Sequence, residues 1–135
     1  MRRSIAMVLF HSSIIEGKGC KLWNPKWIED SLAIQDNSST EAFANFFAYD
    51  WALDRKEIAR AETHLNRGLE LVEKLDPAMT TSLYWSQAYF LAIHKYDAVG
   101  ARAAFSKAGS NSLALAFYPL RSEAAVLFAE GRFEE

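Results

Sequence analysis

The side chains able to do chemistry are few: His11, His64 and His94, a single cysteine, Cys20, and scattered carboxylates. A transition-metal site needs His, Cys or carboxylate ligands at helical or loop spacing. No two of the histidines are four residues apart, and no His-Glu-x-x-His run occurs. One cysteine cannot build a structural zinc site. His64 falls off the apolar stripe of its predicted helix and reads as solvated. Cys20 follows Lys18-Gly19 and precedes Lys21, and nearby positive charge lowers a thiol pKa. A thiol nucleophile also needs a base and a cleft, so a lone loop cysteine reads more simply as a loop residue. Gly17-x-Gly19 neither follows a strand nor leads into Gly-Lys-Ser/Thr, so it is no phosphate loop. Glu29-Asp30 and Glu134-Glu135 are adjacent pairs, which point apart on a helix and make poor acid–base partners. The expectation is a protein that is not an enzyme, with no metal site and no cofactor.

The elements that must position these residues follow from composition. The chain has 135 residues, 50% of them hydrophobic and 24% charged, which suits one folded domain or a short run of repeats. Ala occurs 21 times, and Val, Ile and Thr together only 15 times, a balance that favours helix over sheet. The net charge of −2 supplies no field to hold a polyanion, so nucleic acid is not the expected partner. The aromatic residues fall at helical core spacing without interleaved Lys or Arg, as core residues do and base-stacking platforms do not. A lone cysteine fits a reducing compartment, and the expected localisation is cytoplasmic. Arg2-Arg3 before Ile5–Phe10 imitates a signal peptide, but His11-Ser12-Ser13 interrupts the apolar run. That run is far shorter than the ~20 residues a bilayer span needs. It reads instead as a short helix packing Ile5, Val8, Leu9 and Ile15, stopped by Gly17 and Gly19.

Punctuation then predicts a series of helices. Asn24-Pro25 is a cap followed by proline at the first helical position, where its missing N–H costs nothing. Trp27, Ile28 and Leu32 give that segment its apolar spacing. Ser38 with Glu41 has the spacing of a capping box, predicting a helix over 40–54 whose broad girth of Phe43, Phe46, Phe47, Tyr49, Trp51 and Leu53 implies neighbours on two sides. A one-sided stripe of Ile58, Ala61, Leu65, Leu69 and Val72 predicts a helix over 56–75, with Glu70 and Lys74 as an i,i+4 pair. Asp76-Pro77 opens a further helix reaching Tyr96, with Trp85, Ala88, Tyr89 and Ala92 on one side and Phe90 and Ile93 on another. Asp97 caps a helix over 98–108, which Gly109 breaks. The last helix starts near Leu113 or Pro119 and runs to Glu130, before Gly131. No strand alternation of useful length is present, so the fold class is all-α, in helical pairs.

Within these pairs, Ala101-x-x-x-Phe105-x-x-Ala108 resembles the second helix of a tetratricopeptide repeat, where small residues allow two helices to approach and a larger one fills the gap. Ala61-x-x-x-Leu65-x-x-Gly68 has the same spacing 40 residues earlier. Trp85, Ala88 or Tyr89, and Ala92 resemble the matching positions of a first helix. Gly131-Arg132-Phe133-Glu134-Glu135 resembles the turn that opens a second one. The departures are the long period, a Tyr96-to-Ala101 step two residues longer than the family's aromatic-to-alanine step, and Glu123 at an apolar position. The resemblance covers residues 40–135, about two and a half repeats with the last incomplete. It implies antiparallel helical hairpins stacked as a right-handed solenoid, with residues 1–36 packed as an N-terminal helical cap.

The same resemblance implies what such a chain is for. First helices line the concave side, where peptides or extended protein segments bind. On this register the groove residues are Asp50, Asp54, Gln87, Phe90, His94, Tyr118 and Arg121. No clamp of lysines and asparagines for a terminal carboxylate is visible, and Asp50 and Asp54 favour a basic or neutral partner. The expected function is a protein- or peptide-binding scaffold without contact to nucleic acid, membrane or a small-molecule cofactor. The alternative is a regulatory or spacer arm of a larger protein whose membrane, enzymatic or DNA-binding part lies elsewhere. The helix carrying Ala124, Leu127 and Phe128 lacks a covering partner on this register, so a further helix is expected after Glu135.

Overall fold

In a computed structural model the protein is described over residues 25–109 and 117–132. The expected helix within 1–15 and the cap residue Asn24 lie outside those residues. The described chain is helical throughout, without a strand: α1 (Pro25–Leu32), α2 (Ser39–Asp54), α3 (Ile58–Glu70), a 3-10 turn (Val72–Lys74), α4 (Pro77–His94), α5 (Ala98–Ala108) and α6 (Phe117–Ala129). None of these helices is long and apolar enough to cross a membrane. The chain forms two compact units that divide after Lys74.

In the first unit, α2 starts where the capping spacing places it. The Ser38 hydroxyl accepts from the Glu41 N–H at 3.2 Å. The Glu41 carboxylate turns back on the Asn37 N–H at 2.8 Å rather than on that of Ser38, which donates to Asp36 Oδ1 instead. Leu32 at the end of α1 packs against Ala48 and Trp51 of α2. α2 and α3 form an antiparallel hairpin, because side chains early in α2 meet side chains late in α3 (Glu41 with Arg67, Asn45 with His64). Ala61, Leu65 and Gly68 are the buried residues of α3. α3 is shorter than its stripe predicts. Its N-terminal neighbour Lys56 is left-handed (φ 61°), and its C-terminus tightens into the 3-10 turn after Leu71. Glu70 and Lys74 therefore do not share a helix: Glu70 pairs with Arg67 at 2.8 Å and Lys74 with Glu73 at 3.6 Å.

In the second unit, Asp76 and Asp97 both cap as their positions predict, accepting from the N–H groups of Met79 (3.0 Å) and Gly100 (2.8 Å). α4 and α5 form the second antiparallel hairpin, with the Thr81 hydroxyl near the start of α4 donating to the Ala108 carbonyl at the end of α5 at 3.2 Å. A core of Ala88, Ala92, Ala101, Ala104, Ala125 and Val126 joins α4, α5 and α6. The Ser122 hydroxyl of α6 donates to the Trp85 carbonyl of α4 at 2.8 Å, satisfying both groups where no water reaches. α6 begins at Phe117, between the two expected starts, so Pro119 sits in its first turn, where its missing N–H breaks no helical bond. Arg102 of α5 holds Glu130 past the end of α6 with two parallel bonds, 2.8 and 2.5 Å. Tyr96 is not part of α4, as its aromatic character suggested, but stands left-handed beyond it (φ 55°) and 83% exposed.

Three helix ends close through a left-handed residue. Lys56, Tyr96 and Gly131 are left-handed residues following α2, α4 and α6. At Lys56 the bonds are Lys56 N–H to Leu53 O and Glu57 N–H to Ala52 O, both 2.9 Å. At Gly131 they are Gly131 N–H to Phe128 O at 3.0 Å and Arg132 N–H to Leu127 O at 2.9 Å. Both are Schellman closures, which satisfy the last free carbonyls of a helix. Tyr96 closes α4 one residue wider, with Asp97 N–H on Leu91 O at 3.0 Å. Five residues after Lys56 and after Tyr96 stand Ala61 and Ala101, each wholly buried.

Candidate partner-binding site

The two units hold the sequence-derived candidates separately. Asp50 is half-buried and Asp54, the last residue of α2, is exposed, both in the first unit. Gln87, Phe90 and His94 lie on one side of α4 at helical spacing, with Gln87 and His94 half-buried. Phe90 is only 2% exposed, so its ring is a core element and offers a partner no face. Tyr118 lies in the first turn of α6, and its side chain is outside the description. Arg121, one turn on, is half-buried.

The structure brings three of these candidates together around a residue that helical spacing assigns to the core. The Arg121 guanidinium lies over the ring of Tyr89, its central carbon 3.7 Å from the ring centroid. His94 meets Tyr89 edge-on with ring centroids 6.1 Å apart and lies 5.2 Å from Phe90. Burial first, and the Arg121 charge second, hold the His94 imidazole below its ordinary pKa, which favours its neutral form. Tyr89 carried no binding signal in the sequence. Its one-sided stripe marked it as core, and the pairing with Arg121 depends on how α6 lies across α4.

A second polar cluster occupies the first unit. Glu41, 1% exposed, is the one buried carboxylate among the described residues. Arg67 Nε donates to its Oε1 at 2.7 Å, while the same guanidinium reaches Glu70 at 2.8 Å and Asn37 Oδ1 at 2.7 Å. Burial pushes the Glu41 carboxyl up. The hydrogen bonds from Arg67 and the Asn37 N–H, with the Arg67 charge, outweigh that and leave it below the ordinary carboxylate range. Asn45 donates to the Glu41 carbonyl at 3.0 Å, which turns its amide oxygen toward His64 Nδ1, also at 3.0 Å. That contact makes Nδ1 the protonated nitrogen of His64 and leaves Nε2 bare. His64 is half-buried rather than solvated, because α2 supplies Asn45 opposite it. Burial, then the Arg60 charge, lowers its pKa. The cluster borders an open cleft of about 450 Å³ that Leu32, Gln35, Thr63 and Asn66 also line. Among the described residues no group of three or more His, Cys, Asp or Glu side chains is placed to hold a metal ion.

The Glu41 cluster pairs its buried carboxylate internally and ties α2 to α3. The Arg121 cluster does the opposite, since among the described residues its cation stands over the Tyr89 ring with no ion pair. No protein-family model, curated protein or solved structure matches the chain.

Proposed function

We propose that this chain is a protein- or peptide-binding module built of helical hairpins of the tetratricopeptide kind, and that it catalyses no reaction itself. The observation that supports this reading is the repeated local register: a left-handed residue, then five positions on a buried alanine, at Lys56–Ala61 and again at Tyr96–Ala101. On that register the Tyr96-to-Ala101 step is no departure, because Tyr96 occupies the turn position that Gly131 occupies after α6, not the aromatic position beyond it. The stripes Ala61-Leu65-Gly68 and Ala101-Phe105-Ala108 then occupy the same slots of two successive units. Hairpins that repeat in this way present their first helices as a row of surfaces, a form suited to binding extended segments. The lone Cys20 supports placing the module in the reducing cytoplasm.

The experiment is a selection of peptides from a random displayed library on the whole chain, followed by amide chemical-shift mapping of a selected peptide. Shifts gathered on α2, α4 and α6 support the reading. Recovery of no peptide above background, or shifts confined to α3 and α5, argues against it.

A further inference from the structure

The structure also points to what one part of such a partner must carry. Six arginines lie among the described residues. Arg55 and Arg60 hold Glu57, Arg67 holds Glu41 and Glu70, and Arg102 and Arg132 hold Glu130. Arg121 alone of the six makes no ion pair; its described contact is with the face of Tyr89. We propose that Arg121, held on Tyr89 beside His94, is a recognition site for a side-chain carboxylate of an acidic partner segment. This inference rests on the partner-binding reading above and specifies the partner's chemistry at one point.

Stacking on a ring uses the flat face of a guanidinium and leaves the N–H donors in its plane for a second interaction. Those donors match the two oxygens of a carboxylate. A surface arginine normally loses side-chain freedom when it binds, whereas Arg121 is already ordered by Tyr89, so less is lost on capture of an anion. His94 completes the site. Arg121 from α6 is the charged group that acts on it; Tyr89 faces it from its own helix and Lys95 follows it in sequence. A carboxylate seated at Arg121 offsets the repulsion from that charge, the smaller of the two effects that lower the His94 pKa, and offers the ring a hydrogen-bond acceptor. Binding and protonation of His94 then assist one another. One fixed cation beside a neutral imidazole suits a monoanion better than a phosphate dianion, which needs more positive charge to offset its desolvation.

The test uses the whole chain and an acetylated, amidated pentapeptide, Gly-Glu-Leu-Glu-Gly, so that every carboxylate is a side chain. Binding is followed by NMR at the His94 ring and by pH titration of that ring. The expected result is a rise in the His94 pKa when the peptide is bound, with affinity falling as salt is raised. Arg121→Gln should weaken binding at least fivefold, Tyr89→Leu should weaken it with the charge intact, and Arg121→Lys should fall between wild type and Arg121→Gln. Far-UV circular dichroism and melting confirm folding; if Arg121→Gln unfolds, Arg121→Lys and the ring titration decide. Equal binding of the glutamine pentapeptide, equal or tighter binding of inorganic phosphate, unchanged affinity in Arg121→Lys, or a His94 pKa that does not move would each overturn the site. Shifts on α2 with none at His94 would overturn it while leaving the broader reading intact.

Discussion

Arg67 on α3 donates to Glu41 on α2 across 2.7 Å, and this pair closes the end of the hairpin farthest from its loop. The Glu41 side chain is 2% exposed and that of Arg67 32%, so the carboxylate depends on its partner far more than the guanidinium does. Removing one member of such a pair leaves the buried one uncompensated. Arg67→Ala should therefore lower the urea midpoint more than Glu41→Gln, which removes the charge together with the need for it. Glu41→Ala, which also strips the bond to Asn37, should cost about 2 kcal/mol. Urea titrations of the three variants at pH 7 give the order, and equal midpoints for Arg67→Ala and wild type would show that water already satisfies Glu41.

The same pair sets an acid dependence. The folded Glu41 pKa lies below its unfolded value, so its contribution is complete above the unfolded pKa and is lost as pH falls through the folded one. His64 acts in a higher window with the same sign. Its folded pKa is depressed below 6.5, the unfolded chain takes the proton more readily, and stability falls as pH drops from above that value. Wild type should thus lose stability in two steps on acidification. His64→Gln should diminish the upper step, to which His94 also contributes, and Glu41→Gln should diminish the lower. A single step unchanged in His64→Gln would show that burial and the Arg60 charge do not hold the ring neutral.

Phe90 and Ala101 test the core. Phe90 is 2% exposed, and Phe90→Ala should cost about 3–5 kcal/mol, a folding defect rather than a binding one. Ala101 is wholly buried in the core shared with Ala88 and Ala92, and Ala101→Leu should cost about 1–3 kcal/mol by overpacking. Val99, 82% exposed on the same helix, is the control. Val99→Leu should stay within about 0.5 kcal/mol of wild type. Chemical denaturation measures all three, and similar losses for Ala101→Leu and Val99→Leu would mean that α5 is not seated as described.

These contrasts mark how far local sequence reaches. Ser38, Asp76 and Asp97 were legible as caps because a cap is a short-range bond between a side chain and a backbone N–H three residues on. The alanine stripes of α3 and α5 were legible because helical period alone puts small residues on one face. Tyr96 was not, since a tyrosine after an apolar helix reads as one more apolar position, and its left-handed backbone carries no mark in the residue type. Lys56 hid the first turn in the same way. Asn45 opposite His64 and Tyr89 under Arg121 lie 19 and 32 positions apart in sequence, so their meeting depends on helix packing that no local pattern encodes. Phe90 was assigned to the groove because helical spacing alone cannot tell a concave face from a second buried one.

The left-handed positions offer the last test, because equivalent turns carry different residues. An L-residue in that region costs about 1–2 kcal/mol from contact between its Cβ and the backbone, and glycine escapes it. Gly131 stands at φ 72° and Tyr96 at φ 55°, so substitutions at the two should have opposite signs. Gly131→Ala introduces the clash and should destabilise by about 1 kcal/mol. Tyr96→Gly relieves it and sacrifices no buried surface, since the ring is 83% exposed. The greater freedom of glycine in the unfolded chain offsets part of that gain, leaving a net stabilisation of about 0.5 kcal/mol. Tyr96→Ala keeps the Cβ and should show no gain, which separates relief of backbone strain from removal of an exposed ring. Thermal and urea unfolding of the three variants read these signs directly. Equal effects of Tyr96→Gly and Tyr96→Ala would mean that the turn after α4 is not left-handed at Tyr96.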